Sequence, residues 1–329
     1  MAQAYDAIVA GGGIAGVAAA LALARQGRSV VLIEPSGTLG REIVRGRNQR
    51  VALSRYTGES PSIDTFLRCL QRRQGWFHHR EIDPSVAAIA FDDMAEQHRI
   101  QVLFHAWPSR VEVEGRAVTG LEIATKTGYS RIEAPRVIDA TVHGKLAQHS
   151  FIRERNPFEK SVLHVIFNGV EGECTANHVL SANNLGELQV MCRPTYWKEE
   201  WRVSFIARSR VTRPEWIRCL PSLLPDLRRL IPALGRGNLT LVSEDVWLTP
   251  EFHLHTNSRD DRHLGYVEAL DGSPFEIRHN MLGDPNTILG LTLSGTWLKN
   301  FPFDPALEVR SIVNAFRLGD LAGQSLAGV

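Results

Sequence analysis

Three glycines in the pattern Gly11-x-Gly13-x-x-Gly16, followed by a carboxylate at Glu34, stand out in this 329-residue chain as residues whose types and spacing point to chemistry. In such a pattern Gly11 allows a tight turn, Gly13 lets a phosphate reach the backbone, and Gly16 lets a helix pack closely on a strand. The amides of Ile14 and Ala15 would then open a helix whose positive dipole end favours an anion. Glu34 would accept hydrogen bonds from a ribose, and its charge disfavours a 2′-phosphate on that sugar. Glycine turns after strands are common without a ligand, so the context decides. Tyr5 to Ala10 reads as an apolar strand, Ile14 to Gln26 as an Ala/Leu-rich helix, and Ser29 to Glu34 as a β-branched strand ending in the acid.

Other candidates are single residues. Arg41 follows the acid closely and would neutralise a phosphate, while Arg45 and Arg47 read more readily as a solvated basic stretch. His143 follows a strand end, and an imidazole titrating near neutrality suits a proton donor or acceptor. His253-x-His255 places two imidazoles on one face of a strand, and His78-His79 would diverge; neither pair has a third ligand, so no metal site is expected. Trp297 is the tryptophan best placed to wall a pocket. Cys69, Cys174, Cys192 and Cys219 lie far apart without a Cys-x-x-Cys pair, which argues against zinc and suits a reducing compartment.

Composition narrows the class. With 43% hydrophobic residues the chain can bury a large core, and its length suggests about two domains. A net charge of +1 offers no electrostatic footprint for nucleic acid. Ala7 to Ala24 carries no charge, but glycines interrupt it and no basic residue precedes it, so it reads as neither membrane span nor signal peptide. The expectation is a cytoplasmic protein with a small-molecule substrate, without nucleic-acid or membrane partners, and with homo- or hetero-oligomerisation left open.

The elements that must position these residues follow in a telling order. Asp83-Pro84 caps a helix running to about His98, and Ile100 to His105 is a strand. Three short strands at Arg110 to Glu114, Ala117 to Ala124 and Tyr129 to Glu133 are separated by turns at Gly115 and Lys126-Thr127-Gly128. Arg136 to Ala140 then returns as a buried strand. This order resembles the glutathione-reductase-type, Rossmann-like FAD-binding fold, in which a three-stranded meander replaces the helical crossover of simple NAD domains. LIEPSGTLGREI (Leu32 to Ile43), VIDATVHGKLA (Val137 to Ala147) and the closing segment Leu291 to Ala327 are similar to the family of FAD-dependent oxidoreductases. Where that family has Thr-Gly-Asp-Gly, this chain has Thr141-Val142-His143-Gly144, and Arg41 replaces a loop glycine. Val142 would narrow the backbone approach to a pyrophosphate.

The resemblance implies an α/β fold with a discontinuous FAD-binding domain at 1–150 and 291–329, and an inserted, mostly antiparallel substrate region at 151–290. Within the insertion, strands are expected at Lys160 to Val170, Glu187 to Met191, Trp201 to Ala207 and Asn238 to Leu248. A helix opened by the Thr212/Glu215 capping box should be broken by Pro221 and Pro225. The resemblance further implies non-covalent FAD, with adenosine on Gly11 to Glu34 near Trp107-Pro108. The isoalloxazine would then lie toward Arg41 and Gly319, with Gly319-Asp320 beginning a helix beneath it, and Gly40 and Thr141 are further implied cofactor contacts. Asp320 serves equally as a helix cap. The implied activity is hydride removal from an alcohol, amine or C–H centre, with the flavin reoxidised by oxygen or another acceptor. Flavin monooxygenation and a non-catalytic subunit retaining the fold are the alternatives. No second Gly-x-Gly-x-x-Gly is present for a pyridine nucleotide, and the meander disfavours an NAD enzyme.

Overall fold

The computed structural model describes residues 4–51, 59–78, 80–172, 177–182 and 185–326; His79 and Cys174 lie outside them. From the N-terminus run β1 (Ala7–Ala10), α1 (Ile14–Arg25), β2 (Val30–Glu34), α2 (Arg41–Val44) and α3 (Pro61–Arg72). The hairpin β3 (Trp76–Phe77) and β4 (Glu81–Ile82) precedes α4 (Pro84–Gln97) and β5 (Gln101–Phe104). A meander of β6 (Trp107–Glu114), β7 (Ala117–Thr125) and β8 (Gly128–Glu133) leads into β9 (Val137–Asp139). Next come β10 (Ile152–Arg155), β11 (Ser161–Asn168), β12 (Asn177–Ala182), β13 (Gly186–Pro194), β14 (Glu200–Ala207) and α5 (Arg213–Leu230). The chain continues through β15 (Asn238–Val242), β16 (Trp247–Leu248), β17 (Phe252–His255), β18 (His263–Glu268), β19 (Pro274–Arg278) and α6 (His279–Leu282). It then enters β20 (Leu291–Leu293) and α7 (Glu308–Ser325).

The central sheet has the order β20-β9-β1-β2-β5, and every pair in it is parallel. β1 and β2 are buried along their whole length, which is why they read as continuous apolar runs rather than alternating ones. The expected meander is present as β6-β7-β8. A second sheet, β12-β13-β14-β11-β15 with β16 paired to β11, is antiparallel. It has its own core, in which Leu163, Val165, Phe167, Val203 and Phe205 meet Trp216 and Leu220 of α5. Residues of β17 to α6, such as Leu254, Val267, Ile277 and Leu282, pack instead in one core with Ile8, Val31 and Leu293. No helix among the described residues is long and apolar enough to cross a membrane.

Three local expectations are corrected. α5 runs unbroken through Pro221 and Pro225, both on its exposed side, because Trp216, Leu220, Leu223 and Leu227 are buried against the sheet. That burial offsets the backbone bonds two prolines remove. Asn238 to Leu248 is two strands, interrupted by Ser243 to Val246. Finally, Gly319-Asp320 begins no helix: both lie inside α7. A methyl group on Gly319 would stand 2.2 Å from the Ala15 carbonyl oxygen, and one on Gly323 would stand 2.7 Å from that of Ala19. These glycines let α7 press on α1. Asp320 is buried and accepts hydrogen bonds from the Ser60 and Ser62 hydroxyls, so it ties the start of α3 to α7.

Candidate active site: a dinucleotide groove

A cavity of about 450 Å³ runs from the glycine turn after β1 to the antiparallel sheet. Gly11, at φ +110°, leaves room for a Cβ only 2.4 Å from the Ala140 carbonyl oxygen, and a Cβ on Gly16 would meet the Gly11 carbonyl oxygen at 1.8 Å. Neither position tolerates a side chain, and the backbone of the turn is thereby exposed to the cavity. Gly13 and Ala15 line it, while the Ile14 side chain is buried in the core. Glu34 also lines it; its carboxylate accepts from the Gly12 amide at 2.8 Å and the Ser36 amide at 2.7 Å. Each oxygen of an ionised carboxylate can accept a further hydrogen bond, so the acid still suits a ribose.

Of the loop residues, Arg41 lines the cavity and Gly40 does not. Gly40 sits at φ +64°, where a Cβ would run into the Phe91 ring, and its amide donates to the Gly12 carbonyl at 2.8 Å. It fastens the loop to the glycine turn. Arg41 Nε donates to Asp245 Oδ2 at 3.3 Å, and Arg45 Nε lies 3.0 Å from the same oxygen, so part of the positive charge is already matched. Trp107 lines the groove, whereas Pro108 is buried within β6 and does not.

Thr141, Val142 and His143 form another wall. The turn that carries them is organised by the fully buried Asp139, whose carboxylate accepts from Thr141 N, Thr141 Oγ1, Leu146 N and Ala147 N at 2.7 to 3.0 Å. Trp297 lines the cavity and donates from Nε1 to the Thr141 carbonyl at 2.7 Å, closing the turn from behind. Desolvation pushes the His143 pKa down, and Arg210 and Arg41 add to it, so its imidazole is neutral at neutral pH. His253 pairs in register with Glu154, and no group of three or more potential metal ligands occurs among the described residues.

Several site residues were not singled out from the sequence. Asn48 lines the groove and receives His164 Nε2 on Oδ1 at 3.0 Å, while His164 Nδ1 meets Ser204 Oγ at 2.8 Å. His164 is buried and its pKa falls well below 6.5, chiefly through desolvation, so Nε2 carries the proton toward Asn48 and Nδ1 accepts from Ser204. Ser294 lines the groove at the end of β20 with a fully buried hydroxyl that has no partner. Glu42 is the most consequential: its Oε2 accepts from the Ile14 amide at 3.0 Å, at the very start of α1. Burial raises its pKa and Glu34 adds to that, while Arg41 opposes.

Residues 6–154 match the family model described as FAD dependent oxidoreductase. This segment, 149 of the 329 residues, is similar to that family. Its cofactor is FAD, and the chain is an enzyme of oxidoreductase type. No curated protein sequence matches the chain at a significant level. Among solved structures the fold is similar to that of a triple mutant of the flavin-dependent brominase Bmp2. The two share 12% identity and a TM-score of 0.62, over 99% of this chain and 81% of that one. A geranylgeranyl bacteriochlorophyll reductase-like protein from Thermoplasma acidophilum gives 15% identity and a TM-score of 0.61, over 99% and 79%. The anhydrotetracycline hydroxylase OxyS from Streptomyces rimosus gives 12% and 0.56, over 99% and 63%. At these identities the likeness is one of fold.

The groove fits FAD at most points: a glycine turn that no Cβ could enter, an acid with spare acceptor capacity, and a buried, unpaired Ser294 hydroxyl facing the cavity. Glu42 opposes it, because an anionic pyrophosphate at the start of α1 would meet a carboxylate already there.

Proposed function

We propose that the chain oxidises a small organic substrate by removing a hydride from an alcohol, amine or C–H centre, using FAD held non-covalently in the groove. One observation carries this reading. A single cavity joins the glycine turn and Glu34 to Asn48, Trp247 and Ser311, so nucleotide-binding backbone and a covered reaction chamber are continuous. Bound FAD supplies the two-electron acceptor for the departing hydride. Glu34 holds the ribose, and the backbone at Gly13 and Ala15 faces the phosphates. Arg41, shared with Asp245, offers partial positive charge to a phosphate or to a reduced ring. Neutral His143 is available to take a substrate proton. The antiparallel sheet shields the far end from water, with the His164–Asn48 pair fixing one wall. Purified protein should show flavin absorption bands near about 370 and 450 nm that bleach anaerobically with a substrate of these classes. Flavin bands that no alcohol, amine or activated C–H compound bleaches would overturn hydride removal.

Monooxygenation is the second reading, favoured by the shared fold with a hydroxylase and a brominase. Its signature is consumption of dioxygen by the chemically reduced protein coupled to a hydroxylated product, rather than to hydrogen peroxide alone.

A further inference from the structure

Arg45 reads in sequence as part of a solvated basic stretch, yet its side chain lines the groove and is only 28% exposed. A guanidinium carries five N–H donors. Arg45 spends none of them on a hydrogen bond among the described residues: its Nε is buried 3.0 Å from Asp245 Oδ2 without the alignment a hydrogen bond needs, and its two terminal nitrogens have no partner. Arg41 donates only through Nε, to that same oxygen. Two cations therefore share one carboxylate, and their terminal nitrogens are left over. Glu244 adds little, because it lies 3.6 Å from Arg45 Nε with its side chain 64% exposed to water. Glu42 is engaged with the Ile14 amide, and burial favours its neutral form, so it is a weak counter-charge.

The backbone fixes this arrangement. The Arg45 amide donates to the Arg41 carbonyl at 3.0 Å, one turn back in α2, and the Arg45 carbonyl accepts from the Glu244 and Asp245 amides at 3.0 and 3.3 Å. Arg45 is thus held between α2 and the connection from β15 to β16. Gly46, Asn48, Val246 and Trp247, which adjoin these two segments, line the same cavity of about 450 Å³. Arg41 adjoins Glu42, which touches the start of α1, whereas Arg45 lies a turn further on, where the chain meets the antiparallel sheet.

We propose that Arg45 receives a carboxylate of the substrate, so that the compound oxidised in this groove is an organic acid whose alcohol, amine or C–H centre lies close to that group. A carboxylate matches the two free terminal nitrogens of a guanidinium in a bidentate, charge-assisted contact. The carbon skeleton of the acid then lies toward Trp247 and Leu248, on the same wall. The inference rests on the reading of the groove as a flavin oxidation site and adds the substrate class to it. A phosphate of FAD is the other anion with this chemistry, and the test separates the two.

The probes are butyrate and benzoate with their neutral amides, butyramide and benzamide, kept small because the flavin shares the cavity. They are titrated into the FAD-loaded protein at low ionic strength and followed by calorimetry and by the shift of the flavin absorption bands. Each acid is expected to bind at least about tenfold more tightly than its amide. Arg45→Gln should abolish that preference while changing FAD affinity by less than about twofold. Asp245→Asn, which removes the competing carboxylate, should tighten both acids; where Arg45→Gln lowers the thermal midpoint, this variant carries the test, and unchanged acid affinity in it overturns the proposal. Acids that bind no more tightly than their amides, or a preference that survives Arg45→Gln, would also overturn it. So would a loss of FAD affinity in Arg45→Gln as large as the loss for the acids, which assigns Arg45 to the pyrophosphate. Flavin bands without a preference for acids overturn the inference alone, whereas a protein that shows no flavin bands and takes up no added FAD overturns the reading of the groove and the inference with it.

Discussion

Replacing Glu42 by glutamine tests the groove at the point where its chemistry conflicts with its cofactor. Glu42 Oε2 lies 3.0 Å from the Ile14 amide, and a Cβ on Gly13 would lie 2.7 Å from Oε1, so the carboxylate covers the start of α1. A phosphate sharing that helix start would sit about 5 Å from the carboxylate. At an effective dielectric constant of about 20, two unit charges at that distance repel by about 3 kcal/mol. Glu42→Gln should therefore tighten FAD by about 3 kcal/mol, or on the order of a hundredfold. The sign with pH follows from the raised pKa: FAD, an anion, favours the protonated acid. Wild-type affinity should therefore fall as pH rises through the Glu42 titration and then level off, while the glutamine variant stays flat across that window. Fluorescence titration of the flavin-free protein between about pH 5 and pH 8 reads both effects. Weaker FAD binding in Glu42→Gln, with the same pH dependence as wild type, would refute the reasoning and make Glu42 a cap that builds the site.

Gly319→Ala should lower the thermal midpoint by several degrees, because its methyl group meets the Ala15 backbone and overpacking of about 1–3 kcal/mol exceeds the helix-propensity gain of about 1 kcal/mol. An unchanged melting curve would mean that α1 and α7 are not pressed together there. His164 has its pKa lowered by folding, so below about pH 6.5 the unfolded chain takes up a proton that the native state refuses. Denaturant titrations should show wild type losing up to about 1.4 kcal/mol per pH unit relative to His164→Gln in that acidic window, and no pH-dependent difference above it. Glu34→Ala should weaken FAD by about 1 to 3 kcal/mol and leave the rate at saturating FAD intact; a lower maximal rate would give Glu34 a role beyond the ribose. Arg41→Ala should lower the flavin reduction potential only modestly, since Asp245 already shares its charge, and potentiometry showing a large drop would mean the pair opens when FAD binds.

The nucleotide half was legible because its signals are local. A strand, a glycine turn, a helix and an acid follow one another within 30 residues, and each backbone constraint falls on a residue type that announces it. The meander was legible for the same reason, through period-two strands and glycine turns. What failed was decided by distant partners. Gly319 reads as a helix breaker until Ala15, some 300 positions earlier, explains it as a packing contact. Pro221 and Pro225 read as an end until the sheet beneath α5 supplies the burial that outweighs them. Asn48, His164 and Ser294 are ordinary polar residues in sequence, and only the fold brings them to one wall. Glu42 had a signal that went unused: an acid one residue beyond the loop arginine, within reach of the helix it caps.

The pressing of α7 onto α1 also sets an order of events at the ribosome. α1 leaves the exit tunnel early, yet the helix that covers it follows after about 280 residues, roughly 15 to 60 s later at about 5–20 residues per second. β20, the edge strand beside β9, arrives almost as late. Throughout that interval an alanine-rich helix face and an open parallel sheet edge await partners not yet synthesised, while the antiparallel sheet, whose own core closes with α5, can already be complete. The nascent protein should therefore engage chaperones through its first hundred residues and release them only when its final helix docks.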